Sequence, residues 1–153
     1  MTLQASVPLD ANGKPVPAGL PFQVNKSRAY TGASGLGAAG ASTLFTVTGS
    51  VMVRVIGCCT EDLAGAATLE IGISGNTAAL IAQLADATTL DAGESYIDAT
   101  PSTVESIDLS SGFILANGQD IIETIGSTNI TDGTILFVCF WRPLSEDGLV
   151  VAA

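Results

Sequence analysis

The chain has 153 residues, 47% of them hydrophobic and 13% charged, with 15 acidic against five basic side chains, no histidine and a formal net charge of −10. A domain of this size buries about 70% of its unfolded surface and folds without a disulfide or metal staple. The charge sign disfavours nucleic acid and anionic membrane as partners, and the missing histidine excludes Ser-His-Asp and Cys-His catalysis.

Residues 1–30 hold four of the six prolines, Pro8, Pro15, Pro17 and Pro21, with Asp10-Ala-Asn-Gly13 as a turn between them. Proline fixes φ and removes a backbone donor, so this stretch reads as an extended N-terminal arm rather than a core element. It lacks the basic-then-apolar order of a signal peptide, and no run in the chain reaches the roughly 18 apolar residues of a membrane span. Synthesis in a cytoplasm is the expectation. Phe22, Val24 and Tyr30, at the far end of the arm, are candidates to dock on a partner. Residues 31–42, rich in Gly, Ala and Ser, read as a flexible linker, and residues 43–153 as the folded domain.

From Phe45 to Gly57 the odd positions are apolar or Gly and the even ones largely polar, the period of a half-buried strand, with Gly49-Ser50 as the place for a bend or bulge. Further strands are predicted at Thr68–Ile73, around Ser95–Asp98, and at Val104–Leu109, Phe113–Ala116, Asp120–Ile125 and Thr134–Arg142. Gly or Pro separates most of them. Asn76–Asp86 is ambiguous: Asn76 could cap a short helix carrying Leu80, Ile81 and Leu84, or the segment could be a strand. About eight short strands with regular turn signals predict an all-β domain, a β-sandwich or jelly roll, behind the arm.

The last strand, Ile135-Leu-Phe-Val-Cys-Phe-Trp141, is apolar on both faces. One face of a sandwich strand meets the core, so a second apolar face calls for a second cover, from the chain's own domain, the arm or another subunit. Ile135, Phe137, Cys139, Phe140 and Trp141 are therefore the candidate self-association residues, because aromatic side chains are enriched at interfaces.

Gly35-Leu-Gly37-Ala-Ala-Gly40 matches G-x-G-x-x-G, yet a β-branched strand follows where the dinucleotide fingerprint needs a helix, so the linker reading stands. Cys58, Cys59 and Cys139 lack zinc-ligand spacing and read as buried reduced thiols. The tripeptides at Asn25 and Asn129 match a glycosylation acceptor without a secretion signal to give them meaning. The acids fall on turns (Glu61-Asp62, Asp91, Glu94, Glu146-Asp147) and on outward strand positions (Glu70, Glu123). They read as solvated surface, with no pair at glycosidase spacing and no Asp-x-Asp-x-Asp-Gly calcium loop. Neither an enzyme nor a cofactor is expected.

Leu44-Phe-Thr-Val-Thr-Gly49 running into Val51-Met-Val-Arg-Val-Ile-Gly57, then Ala67-Thr-Leu-Glu-Ile-Gly72, then Gly133-Thr-Ile-Leu-Phe-Val-Cys-Phe-Trp-Arg-Pro-Leu144 with its acidic tail to Val151, together resemble a group of small tailed-bacteriophage virion proteins. These are the capsid decoration, or cement, proteins and related head-associated structural proteins. The resemblance covers residues 43–151 as an overall pattern. It implies a non-catalytic β-sandwich, trimeric, placed on the outside of a capsid to stabilise it, with the major capsid protein as partner and the virion as location. It also implies that the arm grips the shell, a role for which Lys14, Lys26 and Arg28 suit an acidic capsid surface. The alternative is a fibre or receptor-binding module that recognises glycans. That role needs exposed Trp or Tyr, and the candidates are Tyr30, Tyr96 and Trp141.

Overall fold

In a computed structural model that describes residues 11–13 and 19–153, the chain forms ten strands and one 3-10 turn in two antiparallel five-stranded sheets. The strands are β1 (Phe22–Ala29), β2 (Gly40–Thr48), β3 (Val51–Ala64), β4 (Thr68–Ile73), β5 (Asn76–Leu84), β6 (Ser95–Tyr96), β7 (Phe113–Leu115), β8 (Ile121–Gly126), β9 (Asp132–Pro143) and β10 (Leu149–Ala152). The first sheet runs β1-β9-β3-β6, with β7 also on β3, and the second runs β10-β2-β8-β4-β5. The expected all-β sandwich is the observed architecture.

Period-2 alternation places the core. Val51, Val53 and Val55 of β3 and Ile135, Phe137 and Cys139 of β9 point inward from the first sheet, meeting Phe45, Val47, Leu69, Ile71, Ile121 and Ile125 from the second. The alternating run that reads as one strand is two. Gly49, at φ +62°, turns the chain out of β2 in one sheet and into β3 in the other, and a Cβ there would collide with Asp147. A left-handed φ and that close approach together require glycine. Both halves keep odd residues inward, so the pattern runs unbroken through the corner.

Asn76–Leu84 is strand rather than helix. Gly75, at φ +91°, closes a tight turn from β4, and pairing with β4 outweighs the weak helical preference of the Ala-containing segment. The short helix comes just after it, at Ala87–Thr89, capped by the Asp86 side chain accepting from Thr88 N. Val104–Leu109, expected as a strand, belongs to the connection between β6 and β7; Val104 is 83% exposed, and Asp108 folds the backbone locally by accepting from Ser110 N and Oγ.

The N-terminal boundaries also shift. Phe22–Ala29 is extended, as the arm reading requires, but it pairs residue for residue with β9 from Phe22↔Trp141 to Ala29↔Thr134 and is therefore part of the sandwich. Residues 31–42 are not a free linker. Thr31 N and Gly32 N donate to Leu36 O, Gly37 O accepts from Ile130 N, Ala39 N donates to Asn129 Oδ1, and Gly40 opens β2. Small residues are needed here because the loop presses on the 129–131 turn: a Cβ on Gly37 would overlap the Ile130 carbonyl.

Candidate functional site

The residues assigned to a capsid-gripping arm divide into three groups. Lys14 lies outside the described residues. Arg28, Tyr30 and, in part, Lys26 are committed to the interior. Phe22 alone is substantially exposed, at 48%, with its ring 4.9 Å from that of Trp141; Val24 packs against the core. Strand alternation is the cause. Val24, Lys26 and Arg28 share the face of β1 that looks toward the second sheet.

Arg28 sits at the centre of a buried polar network joining the sheets. Its Nε lies 2.7 Å from Glu123 Oε1 as an ion pair. Its terminal nitrogens donate to Gly35 O (3.0 Å), Ser42 Oγ (3.2 Å) and Thr43 O (3.2 Å). Glu123, only 1% exposed, also accepts from Tyr30 Oη (2.9 Å) and Ser42 Oγ (2.8 Å). The expectation that Glu123 is solvated is overturned: odd residues of β8 face the core, and the carboxylate is tolerated there because three groups, Arg28, Tyr30 and Ser42, partner it. Burial still raises its pKa, opposed first by Arg28 and then by Ser42 and Tyr30. Burial, then the Glu123 charge, holds the Tyr30 hydroxyl well above the usual phenol range, so it remains a donor. Lys26 Nζ reaches the Ala153 carbonyl oxygen.

The residues assigned to self-association also divide. Ile135, Phe137 and Cys139 are fully buried and Trp141 is 9% exposed, all on the core face. Phe140 projects from the opposite face with Leu136 and Val138, beside Arg54, Ile56 and Cys58 of β3. Val138 is 6% exposed yet lies outside the main core cluster, as does Leu20. The chain supplies part of the second cover. Gly19-Leu20, leading into β1, meets Leu109-Ser110, leading into β7 from the other edge of the sheet, and Asp108 lies in the field of the outward-facing Arg54.

One exposed feature was not legible beforehand. Among the described residues eight large hydrophobic side chains are exposed, and five of them, Phe22, Phe113, Ile114, Leu144 and Leu149, lie at the end of the sandwich where β3 begins. Phe22 faces Trp141, which faces Val53; Phe113 and Ile114 pair with Val53 and Met52; Leu144 N bonds Ser50 O; Leu149 pairs with Thr48. These residues are separated in sequence by up to 127 positions (149 − 22) and carry no shared motif, so only the register brings them together.

The opposite end is acidic. Asp62 accepts from Ala92 N, Glu94 from Asp91 N and Glu61 from Thr134 Oγ1. Among the described residues no three Cys, Asp or Glu side chains are placed to hold a metal ion. Gly35–Gly40 is preceded by a strand, β1, but delivers the chain into β2 rather than a helix, so no helix N-terminus faces it. All three thiols are free, Cys59 and Cys139 buried and Cys58 half-buried. Tyr30, Tyr96 and Trp141, the candidate glycan platform, are 3%, 0% and 9% exposed.

No protein-family model, curated protein or solved structure matches the chain.

Proposed function

We propose that this is a non-catalytic virion structural protein that self-associates, as a trimer on the resemblance described above, and binds the outer surface of a tailed-phage capsid to stabilise it. The observation that supports attachment to other protein is the gathering at one end of the sandwich of Phe22, Phe113, Ile114, Leu144 and Leu149, five of the eight large hydrophobic side chains exposed among the described residues. Exposed apolar groups collected in one place mark protein contacts more often than the same groups scattered singly. Decoration of a shell multiplies many weak contacts by the valence of the oligomer, and a folded sandwich with one apolar end suits that task. The glycan-binding alternative has less support, because the aromatic rings it needs are inside the domain.

Co-sedimentation with empty capsids tests the attachment. Phe22→Asp/Ile114→Asp, both at exposed positions, is expected to leave the far-ultraviolet circular dichroism unchanged and to abolish pelleting. Full retention of pelleting by the folded double variant would overturn the assignment of that end.

A further inference from the structure

The four sheet edges are not alike. At the β3 edge of the first sheet the outermost strands are β6 and β7, of two and three residues. In the second sheet β10 has four residues, and β5 is broken by two register shifts against β4. Short strands and bulges are the usual ways to stop an edge from recruiting another chain. β1 uses neither: it is eight residues long and pairs with β9 without a register shift.

Its free backbone groups can be identified. Tyr30 N donates to Gly133 O, the residue opposite it in register, so even-numbered residues of this strand are the ones bonded to β9. In an antiparallel ladder the alternate residues point their N–H and C=O the other way. These are Gln23, Asn25, Ser27 and Ala29, all exposed, whose backbone groups have no partner among the described residues. The charges of β1, an edge deterrent when left loose, are directed inward and partnered: Arg28 with Glu123, and Lys26 with the Ala153 carbonyl.

We propose that the occupant of this edge is β1 of a second copy, paired antiparallel about a twofold axis at Asn25 so that the two first sheets become one. The inference rests on the self-association half of the proposed function but replaces the trimer implied by the resemblance with a dimer, because a contact about a twofold axis closes at two copies. Charge selects the register. An axis at Lys26 sets Lys26 against itself, and an axis at Ser27 sets Lys26 against Arg28; directly opposed like charges destabilise a strand pair. An axis at Asn25 places Lys26 beside Val24 and Arg28 beside Phe22. On the outer face it sets Gln23 beside Ser27 and Asn25 beside Asn25, amide and hydroxyl pairs with no charge. That register makes about six main-chain hydrogen bonds, two for each of three bonded pairs.

The test is the mass of the full chain in solution by sedimentation or light scattering across a concentration series, for wild type and Asn25→Lys, with circular dichroism to confirm folding. A second measurement is oxidative cross-linking of Asn25→Cys beside wild type under the same oxidant. Opposed Cα atoms in a bonded pair lie about 5.5 Å apart, within disulfide reach. The expected result is a concentration-dependent dimer, monomeric in folded Asn25→Lys, and a covalent dimer in Asn25→Cys but not in wild type. A trimer or dimer that Asn25→Lys leaves intact and Asn25→Cys fails to cross-link overturns the edge contact while self-association stands. A monomer at every concentration overturns both, and leaves capsid pelleting as a separate result.

Discussion

Replacing Arg28 with Met removes the cation from the buried network while keeping most of the side chain's volume. Glu123 is then left 1% exposed, with only the Tyr30 and Ser42 hydroxyls as partners. Breaking a buried ion pair by removing one member typically costs about 3–5 kcal/mol. For a domain of this size that is a fall in Tm of about 6–20 °C. The loss carries a pH signature. Burial already raises the Glu123 pKa in the folded state and Arg28 is the largest influence lowering it, so the variant's folded pKa rises further above the unfolded value. A carboxyl with a raised folded pKa binds more protons folded than unfolded, so its contribution favours folding at acid pH and is lost as pH rises through the folded value. Arg28→Met is therefore expected to be destabilised most at neutral pH and to recover part of the deficit as Glu123 protonates. Arg28→Met/Glu123→Leu, which removes both charges, is expected to recover most of the stability at neutral pH. Urea unfolding of the three proteins at several pH values reads both effects. A deficit in Arg28→Met that is the same at every pH, or a double variant no better than the single, would refute the account of Glu123 as a charge held in place by Arg28.

Other outcomes follow from single positions. Gly49→Ala meets a left-handed φ and the Asp147 carboxylate at once, and is expected to cost more than about 1 kcal/mol in urea unfolding. Tyr96→Phe strips a hydroxyl that donates to Leu69 O at 2.7 Å and lies 2.9 Å from Ala82 O. Thermal unfolding should show a loss of about 1–3 kcal/mol, the cost of buried carbonyls left without a donor. In the native protein a thiol reagent should modify Cys58 and spare Cys139, whose thiol burial pushes up to about 12, and Cys59, raised by burial and neighbouring carboxylates; denaturant should expose all three.

Alternation made most of the sandwich legible. The Val51-Val53-Val55 series, the two-sided apolar strand at Ile135–Trp141 and the Gly-bounded runs other than Val104–Leu109 each correspond to a strand, because side-chain period and burial are tied by the pleat. What was misplaced depended on partners far away in sequence. β1 looked like part of an arm because the prolines up to Pro21 run straight into it, and the acceptors that tie Lys26 and Arg28 to the domain, Ala153 and Glu123, cannot be located from local pattern. Residues 31–42 looked flexible because small residues suit both a loose linker and a loop pressed against a turn. Glu123 looked solvated because parity alone does not say which face of β8 is inside. Of the proposed self-association residues, four were read correctly as apolar strand positions but belong to the core, and the exposed end emerged only when Met52, Val53 and Thr48 received their partners.

The position of β9 has a kinetic consequence. Among the described residues it is the only strand paired with β1 and the longest-paired neighbour of β3, and its partners in β1 lie more than 100 residues upstream. Every main-chain contact of β1 with its sheet therefore closes a loop spanning most of the chain, and contacts of that span slow folding to about milliseconds to seconds. On a ribosome adding about 5–20 residues per second, β1 emerges several seconds before its partner. For that interval the Phe22–Ala29 segment has both edges free, and neighbouring nascent chains compete with its own β9 for the inner one.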